Sequence, residues 1–206
     1  MSGNVRVAVF IDWQNAYKSA RAAFGWEAYP NEHGNFSPFQ LARMLASRNQ
    51  RGVRGVVSRV EIHRGLPSPS KDQRGHSACR RQSAAWMKEN EEVVIPRLRP
   101  LWYPRDWPNT EEREKGVDVQ LALGLLECAV FDQLCDVAVL FTNDSDLLPV
   151  VERVARLRGE TAIETASWAG HPNAPRLRSK LRIVHHSLTL QDFGSVERRI
   201  NYGHTP

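Results

Sequence analysis

Short apolar runs alternate with longer amphipathic stretches along most of the chain. Residues 5–11, 55–63, 93–98, 137–141 and 161–165 have the β-branched or alternating composition of strands, and residues 182–184 are a shorter candidate. Residues 14–24, 38–51, 71–90, 116–131 and 147–157 are typical of helices, and Gly159 ends the last of them. Strands that alternate with helices predict βαβ units, and hence one α/β domain with a mainly parallel sheet covered on both faces. Pro96 predicts an edge position or a bulge for the third strand.

Composition excludes several classes of protein. The chain has 206 residues and a formal net charge of +5, with 41% hydrophobic and 25% charged residues, as in globular proteins. The three cysteines (Cys79, Cys128, Cys135) have no C-x-x-C spacing, which argues against a disulfide scaffold or a cysteine-rich zinc module. No apolar run reaches the roughly 18 residues of a membrane helix, and the first residues do not resemble a signal peptide. We therefore expect a cytoplasmic protein without a membrane partner, and the basic balance favours a polyanionic one.

Aspartates stand where the predicted strands end. Asp12 ends the first strand, Asp144 and Asp146 follow the strand at 137–141, and Asp118 lies in the first turn of the helix at 116–131. Ligands of parallel sheets bind outside the carboxyl ends of the strands, so these four side chains are expected to converge. Clustered carboxylates repel one another, and a hard divalent cation relieves that repulsion. The pattern therefore predicts a Mg²⁺ or Mn²⁺ site.

Each of these acids also has a simpler explanation. Asp144 or Asp146 would serve as the N-cap of the following helix, Asp118 would favour the positive end of its helix, and Asp12 would be a polar strand terminus. For any single acid the simpler explanation is the more common one. Their joint placement on one sheet edge favours the metal site.

Three separated motifs carry a resemblance to a known family. They are Phe-Ile-Asp-Trp-Gln-Asn at 10–15, Lys-Gly-Val-Asp at 115–118 and Thr-Asn-Asp-Ser-Asp at 142–146, with Pro149 and Gly159 behind the last. In this order they resemble the NYN domain, a family of PIN-like, metal-dependent ribonucleases that includes the bacterial LabA-like proteins. The resemblance covers about residues 5–168. It implies a Rossmann-like α/β/α sandwich in a single domain over 1–206, with 169–206 as a C-terminal extension.

The resemblance also implies roles for individual residues. Asp12, Asp118, Asp144 and Asp146 match the metal-binding acids. Asn15 matches a polar residue after the first acid, Ser145 matches the hydroxyl between the paired acids, and Lys115 matches the lysine before the Val-Asp step. Thr142 stands where the family often has serine, and keeps the hydroxyl. Relatives often add a C-terminal Asp-Phe pair, for which Asp192 and Phe193 are the available residues here.

The function that follows is a metal-dependent endoribonuclease acting on RNA, expected to be single-stranded. In this hypothesis Asn15, Ser145 and Thr142 orient water, metal or phosphate, and Lys115 offsets phosphate charge. The alternative is a catalytically silent RNA-binding or adaptor module on the same fold. A HAD-like phosphatase is disfavoured because Gln14 stands where its second aspartate would be.

Further candidates for RNA contact lie in and before a proline-rich loop at 100–114. Arg97, Arg99 and Arg105 suit phosphates, and the loop's aromatic rings suit bases, while a stiffened cover over the sheet edge is the equal alternative.

Trp13 is a candidate for stacking on a base, with packing as its alternative. The adjacent His185 and His186 are expected to point to opposite faces of a strand, which argues against a shared metal. The sequence leaves the oligomeric state open, with a homodimer among the expectations.

Overall fold

The computed structural model describes residues 4–170 and 177–203. Six strands form one sheet in the order β3-β2-β1-β4-β5-β6, and every neighbouring pair is parallel. The strands are β1 Val5–Asp12, β2 Gly55–Leu66, β3 Val94–Pro100, β4 Val137–Phe141, β5 Ile163–Trp168 and β6 Val184–Leu188. The predicted α/β fold is confirmed, and Pro96 does lie in an edge strand.

Helices cover both faces of this sheet because β1 and its neighbours are apolar on both sides. Helices α1 (Trp13–Ala23), α2 (Pro38–Ser47), α3 (Gln73–Met87) and α6 (Leu190–Val196) cover one face, and α4 (Val117–Leu126) and α5 (Leu148–Arg158) cover the other. Val7 and Val9 of β1 pack in the first core, whereas Ala8 and Phe10 pack in the second. This two-residue alternation is the geometry of a strand buried between two helical layers.

Some elements differ from the sequence prediction for local reasons. The helix predicted over 116–131 is α4 followed by a π-helical turn, Glu127–Phe131. The strand predicted from 161 begins at Ile163, since Glu160–Ala162 form a 3₁₀ turn. Strand β6 and helix α6 come from the C-terminal extension, of which residues 171–176 and 204–206 lie outside the described part. Phe193 of α6 is fully buried and packs against Trp168. No helix in the described part of the chain is long and apolar enough to cross a membrane.

The topology brings three chain segments to one edge. Strands β1 and β4 are adjacent and parallel, so their carboxyl ends lie side by side. Helix α4 begins at Val117, after the left-handed Gly116 (φ 72°). That backbone conformation is one that glycine adopts without steric cost. The arrangement sets the start of α4 beside the ends of both strands.

Candidate metal centre

Three of the four predicted acids meet at this edge. Asp12, Asp118 and Asp144 each offer one carboxylate oxygen, and these oxygens all lie within 4.8 Å of one another. They come from the end of β1, the first turn of α4 and the loop after β4. A set of three carboxylate oxygens fits a hard divalent cation, which prefers oxygen ligands and water. We call these three residues the acid cluster.

Asp12 is the buried member of the acid cluster, with 5% of its surface exposed. Its Oδ1 accepts a hydrogen bond from the backbone N–H of Asn15 (3.2 Å), and its Oδ2 accepts one from Thr142 Oγ1 (3.1 Å). Burial raises the pKa of Asp12 to about 7, against the opposing effect of these two hydrogen bonds. The nearby charges of Glu114 and Asp118 contribute to this rise. A cation bound here would stabilise the ionised form.

Asp144 is half-buried and sits in a loop that hydrogen bonds hold in place. Its Oδ1 accepts from the backbone N–H of Asp146 (2.9 Å), and its own N–H donates to Thr142 Oγ1 (3.1 Å). The Thr142 hydroxyl therefore connects Asp144 to Asp12. Asn15 holds the same loop, because its Oδ1 accepts from the N–H of Asn143 (2.8 Å).

Helix capping and clustering occur together in this site. Asp12 is the N-cap of α1, and Asp144 is the N-cap of the 3₁₀ turn Ser145–Leu147. Capping leaves each carboxylate with further lone pairs for a cation. Asp144 therefore has a capping role as its simpler explanation proposed, although at the 3₁₀ turn before α5, whereas the cap formed by Asp12 was not predicted.

Asp118 and Asp146 are on the solvent side of the site. Partial loss of hydration raises the pKa of Asp118, and the charges of Asp144 and Asp146 raise it further. Asp146 is exposed and is not one of the three residues whose oxygens meet within 4.8 Å. Ser145, also exposed, lies between them in the chain. Both residues line the solvent side of the loop that carries Asp144.

Glu114 is a site residue that the sequence analysis did not single out. Its Oε1 accepts a hydrogen bond from the backbone N–H of Gly65 in β2. Burial raises the pKa of Glu114, and its charge is one of those that raise the pKa of Asp12. In the sequence, Glu114 stands one residue before the Lys-Gly-Val-Asp motif. That position alone does not distinguish a site residue from the many acidic residues that lie in surface loops.

The candidates for substrate contact are placed differently from one another. Lys115 Nζ lies 4.6 Å from the centre of the Trp102 ring, close to the start of α4. Arg99 Nε donates to the carbonyl of Lys115 (2.6 Å), and Arg97 Nη2 donates to Glu61 Oε1 (3.1 Å). These two arginines line a groove beside α4, with Glu61 within it. Arg105 is exposed on the loop.

The expectation that Trp13 stacks on a base is wrong. Its side chain is 2% exposed, and its ring centre lies 4.8 Å from that of Phe36 and 4.4 Å from that of Trp86. With 2% of its surface exposed, this ring leaves no area on which a base could stack. Trp13 is a packing residue of the first core, where α1 meets α3.

The C-terminal candidates are engaged elsewhere. Asp192 completes a capping box at the start of α6 and forms an ion pair with Arg48 (2.6 Å). His185 hydrogen-bonds with Thr165 and Ser167, whereas His186 contacts Glu164 (2.6 Å). Asp192 is therefore held by α2 and α6, and the two histidines have separate partners.

Comparison with known proteins finds a matching family model and a similar solved structure. The model of the NYN domain family matches residues 6–179. No curated protein matches the chain. A crystal structure of a protein of unknown function from Vibrio parahaemolyticus is similar, with 18% sequence identity and a TM-score of 0.49. The likeness covers 82% of this chain and 83% of that one.

Proposed function

The chain belongs to the NYN domain family, and from that membership we propose that it is a metal-dependent endoribonuclease that hydrolyses phosphodiester bonds in single-stranded RNA. The family gives it a nuclease-type fold. The observation that carries the proposal is the meeting of three carboxylate oxygens within 4.8 Å at the edge where a parallel sheet binds its ligands.

Asp12, Asp118 and Asp144 are the residues that would hold the cation, with Asp146 beside them. A bound Mg²⁺ or Mn²⁺ supplies Lewis acidity, which activates water and stabilises the charge that develops at the scissile phosphate. The buried Asp12 gives the site a fixed ligand, because two hydrogen bonds orient its carboxylate before any ligand arrives. The exposed Asp118 leaves the opposite side open to a substrate.

The other residues of the site position these acids and the substrate. Thr142 sets the distance between Asp12 and Asp144 through its hydroxyl, and Asn15 fixes the loop that carries Asp144. Such supporting hydrogen bonds orient metal ligands in many sites. Lys115 would offset the charge of a phosphate that approaches the start of α4. The net charge of +5 favours an RNA partner.

The direct test is cleavage of a fluorescently labelled single-stranded RNA with Mn²⁺ or Mg²⁺, and with EDTA. Cleavage should require the cation. Asp144→Asn should lower the rate about 100-fold or more, because it replaces an anionic ligand by a neutral one. Asparagine caps a helix nearly as well as aspartate, so this variant separates capping from metal binding.

Asp136→Asn is the matched control, because Asp136 precedes β4, where it pairs with Arg6 at the amino end of the strand. This variant should cleave at the wild-type rate. Wild-type cleavage by Asp144→Asn would show that the acid cluster does not carry the activity. Absence of cleavage by the wild type with either cation would leave the chain as an RNA-binding or adaptor module.

A further inference from the structure

A second feature of the molecule is a cleft beside α1, the helix that begins directly after Asp12. It has a volume of about 470 Å³ and lies between the start of α1, the start of α3 and the C-terminal residues 200–203. We call it the α1–α3 cleft. Its volume falls within the range of pockets that bind small ligands, roughly 300–1,000 Å³.

The chain connects this cleft directly to the acids. Gln14, which lines the cleft, follows Asp12 by two residues. Asp12 pairs with His63 between β1 and β2, and the next residue, Arg64, lines the cleft. The charge of Glu114 acts on both Asp12 and Arg64. The cleft and the acid cluster are therefore built on shared elements, the end of β1, the start of α1 and the neighbouring part of β2.

Arg64 is a half-buried cation whose Nε is enclosed by the protein. Its Nη1 donates to Gln82 Oε1, and its guanidinium carbon lies 6.0 Å from the centre of the Trp86 ring. Its Nε is buried and has no hydrogen-bond partner among residues 4–170 and 177–203. No ion pair to Arg64 within 4.0 Å occurs in that described part either. Burial lowers the pKa of Arg64, as expected for a charge removed from water.

A buried donor without a hydrogen-bond partner is costly, and an anionic ligand that accepts from it removes that cost. Guanidinium groups suit phosphate because their N–H groups match its oxygens in pairs. Arg74 also lines the cleft, in the first turn of α3, where the helix dipole adds positive potential. Glu32 is an acid in the lining, and it accepts a hydrogen bond from Asn201 (3.4 Å).

We propose that the α1–α3 cleft binds a backbone phosphate of the RNA next to the one that is cleaved, with Arg64 as its anchor. This inference rests on the proposed function for the nature of the substrate. The cleft gives the RNA a fixed direction across the acid cluster. Arg64 acts in binding and takes no part in the chemical step.

The test measures RNA binding without cleavage. A short, fluorescently labelled single-stranded RNA is titrated with the protein in EDTA, and fluorescence anisotropy is followed at several salt concentrations. Arg64→Gln should weaken binding about tenfold or more, the effect of losing a charged hydrogen bond. It should also reduce the dependence of affinity on salt by about one phosphate contact.

Arg80→Gln is the matched control, since it removes the same charge from an exposed position of α3 that does not line the cleft. Its affinity should stay near that of the wild type. Circular dichroism checks that Arg64→Gln is folded. If it is not, Ala78→Phe fills the cleft from α3 with Arg64 in place, and should weaken binding in the same way.

The outcomes separate the two proposals. Wild-type affinity in folded Arg64→Gln, or in Ala78→Phe when Arg64→Gln does not fold, would overturn this inference and leave Arg64 with a packing role against Trp86. That result would leave the proposed endonuclease function intact if cleavage still depends on Asp144. Binding that depends on Arg64, in a protein that cleaves no RNA with either cation, would support the cleft while refuting the endonuclease.

Discussion

Removal of the Asp12 charge is expected to stabilise the metal-free protein, and increasingly so as the pH rises. Asp12 has a pKa of about 7 in the folded protein, against 3.8 for an unperturbed aspartate. The folded state therefore holds this proton more tightly than the unfolded state. Below pH 3.8, where Asp12 is protonated in both states, it does not lower the free energy of unfolding. As the pH rises from there towards 7, the free energy of unfolding falls, because ionised Asp12 is tolerated only in the unfolded state. Asp12→Asn has no such loss, because its amide stays neutral.

The magnitude follows from the two pKa values. A pKa that rises from 3.8 to about 7 corresponds to about 4 kcal/mol at alkaline pH, at roughly 1.4 kcal/mol for each tenfold change. Between pH 5 and pH 8, the difference in unfolding free energy between Asp12→Asn and the wild type should grow by about 2.5 kcal/mol in favour of the variant. Asp12 is 5% exposed, so solvent screens little of this effect.

The assay is urea unfolding in EDTA at both pH values, followed by circular dichroism. Asp136→Asn is the control, because Arg6 lowers the pKa of Asp136. The stability that Asp136 contributes is present above its unfolded pKa and is lost only in acid. This variant should therefore be less stable than the wild type by the same amount at pH 5 and pH 8. A difference for Asp12→Asn that does not change with pH would refute the description of Asp12 as a buried, destabilising charge.

Three further predictions concern the supports of the site. Thr142→Val should weaken Mn²⁺ binding in calorimetry most at low pH, because loss of its hydrogen bond raises the pKa of Asp12 and protons compete better; equal weakening at all pH values would contradict this. Trp13→Ala should lower the unfolding free energy by about 3–5 kcal/mol in urea, whereas a ring that serves RNA alone would leave stability unchanged. Gly116→Ala should cost about 1 kcal/mol or more in thermal unfolding, since φ is 72° and a Cβ would lie 3.0 Å from Arg99 Nε; unchanged stability would show that this turn tolerates a side chain.

The sequence determined the sheet and the edge that carries the site. Alternating apolar residues such as Val7 and Ala8 predict a strand buried on both faces, and the run of strands and helices predicts parallel pairing. Parallel strands end at the same edge, so the positions of Asp12 and Asp144 at strand ends already placed them together. Local pattern was sufficient here, because strand period and chain order fix these relations.

Only the tertiary structure decided what surrounds each side chain. Trp13 directly follows Asp12 in the sequence. The burial of the Trp13 side chain, however, depends on Phe36 and Trp86, which come from distant parts of the chain. In the sequence, Arg64 is one arginine among many near a strand end. Only the packing of α3 shows that its Nε is buried and has no hydrogen-bond partner in the described part of the chain. Burial and the distance between charges arise from contacts between residues far apart in sequence. These contacts set the pKa of Asp12 and the charge of the cleft, whereas residue type and spacing set only which groups are available.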